Sequence, residues 1–272
     1  MRRTLLPLLC VLPLLSCVSA RRPPLDEMVY VLVYNMHAGK DAKGVDNLPR
    51  IAEIVRETGA DVTLLQEVDI NTRRSGRVDQ PSILSDLTGL RPVFGKTLNY
   101  DGGLYGIAVL SRWPVTHDTL FSLRVTPRQE RAGGSYEPRG VQHVLIGTPH
   151  GPLHILNTHF DPSANDRFRR QEATEVLRLA GKLRSSGETV FIGGDLNDEP
   201  DSRVLEMFTE AGWNDAWDGC GEGEGKSFPY DTPVKRIDYL LLGPGATCVY
   251  AEVLATDASD HRPIIFHIRM DR

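Results

Sequence analysis

From Met28 onward the chain alternates short apolar runs with polar breaks, and run length separates strand from helix. Met28 to Tyr34 is a β-favouring run that ends at Asn35, which predicts a buried strand. Asn47 to Thr58 places Leu48, Ile51, Ile54 and Val55 at helical spacing, with Pro49 in the first turn and Gly59 as a stop. Asp61 to Leu65 reads as the next strand. Arg91–Phe94, Tyr105–Leu110 and Val115–Leu123 follow as strands with Gly- and Pro-rich breaks between them. Val141–Gly147 and Leu153–Thr158 read as a hairpin around Pro149-His150-Gly151-Pro152. The longest helix is expected over Asp166–Ser185, buried along Phe168, Ala173, Val176, Leu177, Ala180 and Leu183. Thr189–Ile192 is a strand, and Asp201 is expected to cap a helix carrying Val204, Leu205 and Phe208 inward. Ile237–Leu242, Val249–Leu254 and Ile264–Ile268 complete the strands.

This is an α/β chain, but it has too many strands per helix for one doubly wound sheet. Two sheets packed face to face fit better. The 272 residues, 40% of them hydrophobic, suffice for one large core, and no internal repeat marks a second domain.

Residues 1–20 read as an export signal: Arg2-Arg3, an apolar stretch from Thr4 to Leu15, and the small-residue site Val18-Ser19-Ala20. The stretch is too short to span a bilayer, which takes roughly 20 residues. Leu14-Leu15-Ser16-Cys17 also fits a lipoprotein signal, in which Cys17 would carry the lipid anchor; both readings stay open. Residues 21–27 form a linker, and 28–272 the folded domain. The expected location is exported: secreted, periplasmic, or lipid-anchored at the cell envelope, with no transmembrane helix. Cys220 and Cys248 then remain as an even pair in an oxidising compartment, predicting a disulfide; two buried free thiols are the alternative. Formal net charge is −5, and two units more negative once Arg2 and Arg3 leave with the signal. Such a chain gains little from the phosphate attraction that dominates nucleic-acid binding.

Polar groups stand where the apolar runs end: Asn35, Gln66-Glu67, Asn157-Thr158-His159, Asp195-Leu196-Asn197, Asp238, and Asp260-His261. A strand that ends in a carboxylate, amide or imidazole projects that group into a shared crevice. Asp, Glu and Asn oxygens suit a hard divalent cation, and histidines move protons near neutral pH. Together they suit phosphate-ester hydrolysis.

The order of these motifs over residues 28–270 resembles the endonuclease/exonuclease/phosphatase superfamily. That superfamily includes pancreatic-type deoxyribonucleases, abasic-site endonucleases, neutral sphingomyelinases and inositol polyphosphate 5-phosphatases. The resemblance implies a four-layer sandwich, with two mixed sheets inside and helices outside. It implies Mg²⁺ or Mn²⁺ held principally by Glu67, with Asp260 completing the metal site or holding the water, and with Asn35 binding metal or a phosphate oxygen. It implies that Asp195 and Asn197 orient the attacking water. His261 would be the general base with Asp238 as its orienting carboxylate, and His159 would contact the scissile phosphate, with Asn157 also on the substrate. Of the remaining histidines, His117, His143, His150, His154 and His267 lack acidic partners of this type and are expected to be structural.

Departures from relatives narrow the expectation. Val68-Asp69 follows Glu67 where deoxyribonucleases carry a DNA-contacting arginine, and His37 stands where abasic-site endonucleases have an aspartate. Arg73 and Arg139 are the favoured substrate-side cations, since guanidinium forks match phosphate oxygens. Asn71-Thr72-Arg73-Arg74-Ser75-Gly76 and Val78-Asp79-Gln80 mark a bacterial-type branch. That branch is similar to the C-terminal domain of a eukaryotic protein of glycosylphosphatidylinositol lipid remodelling. The expected activity is metal-dependent hydrolysis of a phosphodiester, a lipid headgroup or another small ester, by a monomer. The alternatives are a secreted nuclease and a non-catalytic binding protein on the same scaffold.

Overall fold

The computed structural model describes residues 28–129 and 136–271. The export segment, Cys17 and the linker 21–27 lie outside the described residues. The two-sheet expectation holds: two mixed six-stranded sheets pack face to face between outer helices.

The first sheet comprises β1 (Met28–Asn35), β2 (Val62–Ile70), β3 (Arg91–Tyr100), β4 (Gly103–Ser111), β11 (Ala246–Val253) and β12 (Ile264–Met270), in the order β11-β12-β1-β2-β4-β3. The second comprises β5 (Val115–Leu123), β6 (Arg139–Thr148), β7 (Gly151–His159), β8 (Thr189–Asp195), the two-residue β9 (Asn214–Asp215) and β10 (Asp238–Leu242), in the order β5-β6-β7-β8-β10-β9. Each has a parallel pair at its centre, β1 with β2 and β7 with β8. Parallel neighbours point their carboxyl ends the same way, so Asn35 and His159 leave their sheets at strand ends beside Gln66 and Asp195.

The two-residue period of a strand divides the core. Val31 and Val33 of β1 face the second sheet, among Leu64, Ile155, Phe191 and Leu240. Leu32 and Tyr34 face outward onto Ile51 and Val55 of α1 (Leu48–Glu57) and Leu84 of α2 (Gln80–Thr88). On the far side, Leu156 and Ile192 meet Val176 of α3 (Arg167–Arg184) and Phe208 of α4 (Arg203–Glu210). Among the described residues no helix is long and apolar enough to cross a membrane.

Several details differ from the sequence reading. Helix α2 was not expected, although Asp79 caps it by accepting from the Ser82 amide at 3.0 Å, Pro81 sits in its first turn and Gly89 ends it. Ser202, not Asp201, caps α4, its hydroxyl accepting from the Leu205 amide. In α3 the polar Arg169 and Glu172 are buried where Phe168 was expected; Arg169 pairs with Asp198 at 2.8 Å, and Glu172 accepts from the Asp161 amide at 2.9 Å. Partners of this kind allow charge below the surface.

The disulfide forms between Cys220, at the end of the short helix α5 (Ala216–Cys220), and Cys248 of β11, with Cα atoms 5.6 Å apart. It ties α5 to the first sheet across 28 residues of chain. A loop of that length should contribute about 3–4 kcal/mol through the unfolded state. Replacing both cysteines by alanine should therefore lower the melting midpoint by roughly 10 °C. Equal midpoints by calorimetry for the oxidised chain and the double variant would refute this contribution.

Candidate active site

The polar strand ends meet at one end of the sandwich, and sheet register fixes most of their spacing. Asp195 ends β8, with His159 beside it on parallel β7 and Asp238 opposite on antiparallel β10. The close approach of β7 and β8 needs Gly194: its φ is +131°, and a Cβ there would strike the Thr158 carbonyl. Asp195 Oδ2 lies 3.6 Å from His159 Nε2 and 3.7 Å from His261 Nε2, between the two imidazoles. His261 Nδ1 is 2.9 Å from Asp238 Oδ2, which also accepts from the Ser227 hydroxyl at 2.6 Å. The Phe228 ring packs against the imidazole with centroids 4.8 Å apart.

The first sheet supplies the opposite wall. A bulge interrupts the β2–β4 pairing between Leu65 and Val68, and within it Glu67 adopts φ 55°. This left-handed conformation costs a residue with a Cβ of order 1–3 kcal/mol, and such strain concentrates at functional sites. Asn35 joins the walls: its Nδ2 reaches Glu67 Oε1 at 3.4 Å and Asp195 Oδ2 at 3.0 Å, while its Oδ1 accepts from the His37 amide. The amide therefore turns a donor toward the carboxylates. That orientation suits a phosphate oxygen, the second of the two roles expected of Asn35, better than a metal ion. Ser259 donates to the Asn35 carbonyl at 2.8 Å and to Asp260 Oδ1 at 3.2 Å, pinning the Asp260-His261 segment to β1.

Four carboxylates thus share one crevice, and among the described residues no lysine or arginine pairs with Glu67, Asp195, Asp238 or Asp260. Burial and the charge of Asp238 push Asp195 up to about 7, against His261, Asn35 and the Asn197 amide. Burial alone would lower His261, but Asp238, Asp195 and Asp260 outweigh it and push the imidazole up to about 10. Uncompensated oxygen donors of this kind fit a hard divalent cation. Asp195, Asp238 and His261 also lie within 4.8 Å of one another, as a metal group would. However, Asp238 Oδ2 and His261 Nδ1 are already committed to each other, which leaves fewer free donors for an ion there.

Three expected contacts fall elsewhere. Asn157 is fully buried between the sheets, its Oδ1 accepting from Gln66 Nε2 at 2.8 Å and its Nδ2 donating to the Leu65 and Ala108 carbonyls. It braces the two sheets and has no face for substrate. Arg73 lies on the surface beside Asp101 at 2.9 Å. Arg74 is the arginine that faces Glu67's side of the crevice, held by Asp69 at 2.7 and 2.9 Å. Arg139 is only 3% exposed. It pairs with Glu137 at 2.7 Å and donates to His159 Nδ1 at 3.0 Å, so it backs the histidine and does not face solvent. Asn197 turns back at φ 51°, giving its amide N–H to Asp195 Oδ1 at 2.9 Å and its Nδ2 to the Phe160 carbonyl. Contrary to expectation, His154 does have an acidic partner, Glu188 at 2.6 Å, within a separate cluster that includes His143.

Arg139 also fixes the tautomer of His159. A guanidinium only donates, so Nδ1 must accept, and the neutral ring carries its proton on Nε2. His159 therefore presents an N–H donor into the crevice. Replacing Arg139 by Met should shift the His159 ring-nitrogen NMR signals away from that tautomer and lower kcat by about 10², the scale of a misplaced group. Unchanged signals would overturn the assignment.

Comparison with known proteins agrees with this geometry. Residues 32–261 match the model of the endonuclease/exonuclease/phosphatase family. The chain is 25% identical over 253 residues to the uncharacterized protein YbhP of Escherichia coli K12, covering 88% of this chain and 96% of that one. It superposes on an endonuclease/exonuclease/phosphatase family protein of Bacteroides thetaiotaomicron with a TM-score of 0.75 at 17% identity, covering 90% of this chain and 98% of the other. It superposes on the mannosyl-6-phosphatase Bt3783 of Bacteroides thetaiotaomicron VPI-5482 with a TM-score of 0.73 at 18% identity, covering 88% and 99%. At those identities the superpositions establish the fold alone. The match across nearly all of the described chain establishes the rest: the protein belongs to the endonuclease/exonuclease/phosphatase family.

Proposed function

We propose that this protein is an exported, divalent-metal-dependent hydrolase of small phosphodiesters, such as a lipid headgroup ester, acting through direct attack of water on phosphorus. The observation that carries the reading is the placement of Asp195 between the Nε2 atoms of two histidines held in different orientations. Glu67 and Asp260 would hold Mg²⁺ or Mn²⁺, whose charge offsets that of the phosphate and polarises it when bound. His261, steadied through Nδ1 by Asp238, would accept a proton from water at Nε2 once a cation at Glu67 and Asp260 offsets the carboxylate charge that otherwise holds the imidazole protonated. Asp195 accepts the water's other hydrogen bond and fixes its approach. His159, held as an Nε2–H donor by Arg139, donates to a phosphate oxygen and stabilises the leaving side, and Asn35 Nδ2 is positioned for the same phosphate. The disulfide is consistent with an oxidising compartment, which supports export.

The formal charge of −5 argues against a polyanionic substrate. Purified protein with Mg²⁺ should cleave bis-phenyl phosphate and phospholipid headgroup esters faster than DNA. DNA cleavage that outruns both, and weakens steeply with added salt, would overturn the substrate assignment in favour of a nuclease.

A further inference from the structure

Away from the crevice, three histidines and a glutamate gather on the outer face of the second sheet, and the chemistry above uses none of them. Strand register explains the gathering. His143 of β6 pairs with Leu156, which packs beneath α3, and His154 of β7 pairs with Leu145, so the two histidines are diagonal neighbours on that face. His117 joins them through a bulge: the β5–β6 pairing shifts between Val115 and His117, which sets His117 opposite Leu145 as well. The His143 ring lies between the other two, with centroids 5.1 Å from His117 and 5.0 Å from His154. His154 stands five residues before His159 on β7, roughly 16 Å from the crevice at the rise of a strand.

The hydrogen bonds fix which nitrogens carry lone pairs. Glu188 Oε2 is 2.6 Å from His154 Nε2, and a carboxylate accepts, so that nitrogen carries the proton. Nδ1 of the neutral ring then holds a lone pair, and it faces His143 Nε2 at 2.8 Å. Burial first, then the neighbouring His154 and His117, push His143 down to about 4, so near neutral pH its ring is uncharged too. Two imidazoles therefore hold one proton where an ion could sit. Ligands about 2.0–2.1 Å from a tetrahedral ion stand roughly 3.3 Å apart, so the exchange needs about half an ångström of movement. Glu188 already occupies the place of the carboxylate that orients a metal-bound histidine through its other nitrogen.

Other roles fit less well. The Glu188–His154 pair could activate a nucleophile, but a second imidazole stands where the hydroxyl or thiol would be. An anion would meet neutral rings and a carboxylate, with no lysine or arginine paired to the cluster among the described residues. A purely structural role accounts for the buried His143 and His154 but not for His117, which is exposed. Imidazoles suit Zn²⁺, Cu²⁺ or Ni²⁺, whereas the carboxylates of the crevice suit hard ions.

We propose that His143 and His154, with His117 as third ligand and Glu188 behind His154, form a second metal site that takes a transition-metal ion such as Zn²⁺. As the ion enters, the His143 proton passes from Nε2 to Nδ1, and the ring stays neutral. The ion clips β5, which lies at the edge of its sheet, to β6 and β7. The site stands whether or not the crevice hydrolyses phosphodiesters.

The test adds one equivalent of Zn²⁺ to the full chain in excess Mg²⁺ and follows the histidine ring nitrogens by NMR. Signals of His117, His143 and His154 should move, with His143 switching from the Nε2–H to the Nδ1–H tautomer, while those of His159 and His261 stay. The same pattern should appear in Glu67→Gln, in which the crevice has lost a carboxylate. Zn²⁺ affinity, measured in competition with a chromophoric chelator, should fall at least tenfold in His117→Ala and in Glu188→Ala, the scale of a lost orienting carboxylate or more. His117 is exposed and Glu188 half-exposed, so neither replacement opens the core. Unmoved cluster signals, movement confined to His159 and His261, or an affinity unchanged in either alanine variant overturns the site.

Discussion

Turnover is expected to fall by about 10²–10⁴-fold when His261 is replaced by alanine, the usual range for losing a positioned base. Asp238→Asn should fall within the same range by a different route. The amide keeps the shape of the carboxylate and a hydrogen bond to Nδ1, but not the charge that stabilises the imidazolium formed as water gives up its proton. Ser227, 2.6 Å from Asp238 Oδ2, locks the side-chain position, and Phe228 holds the ring, so neither replacement should let a neighbour take over. Because the two residues act as one unit, the double variant should lose little more than His261→Ala alone. KM should move far less than kcat, since neither group is placed to hold substrate in the ground state. Strictly additive losses, or less than tenfold in both single variants, would mean that another base serves.

The strand-end residues were legible because strand geometry makes a simple promise. A β-favouring run that stops at Asn35, His159 or Asp195 must deliver its last side chain to the edge of the sheet, and parallel pairing sends several such edges to the same side. The packing of two sheets was legible for a similar reason, in the ratio of strands to helices. What could not be read was direction and depth. Glu67 reaches the crevice only through the bulge after Leu65, and the local pattern Leu64-Leu65-Gln66-Glu67-Val68 does not announce a left-handed residue. Arg139 and Asn157 sit in polar-looking stretches that sequence assigns to substrate. The structure buries both, because partners such as His159 for Arg139, and Gln66 with two carbonyls for Asn157, come from distances along the chain that no local pattern spans. Arg73 and Arg74 are neighbours with opposite fates: Asp69 near the end of β2 holds Arg74 toward the crevice, and Asp101 holds Arg73 on the surface. Helix α2 is a different case: its cap, its first-turn proline and its closing glycine were all present in the sequence.

Chelation is expected to abolish hydrolysis, and Mg²⁺ or Mn²⁺ to restore it, for a reason already present in the charges. Glu67, Asp195, Asp238 and Asp260 converge with no lysine or arginine paired to any of them among the described residues. Like charges gathered in one crevice, two of them buried, destabilise the fold that gathers them. A divalent cation held by Glu67 and Asp260 would relieve that repulsion, so metal should stabilise the protein as well as activate it. At 100 times the dissociation constant, linkage gives about 2.7 kcal/mol. For a domain of this size that raises the melting midpoint by roughly 5–10 °C. The two readouts test different links. The shift in midpoint reports that the carboxylates bind the ion, and the return of activity reports that the bound ion serves the chemistry. Glu67→Gln should lose most of the shift, whereas His261→Ala, which removes the base but none of the four carboxylates, should retain it and remain inactive. Activity that persists in excess chelator would remove the metal from the reaction, and a midpoint indifferent to Mg²⁺ and Mn²⁺ would remove it from the site.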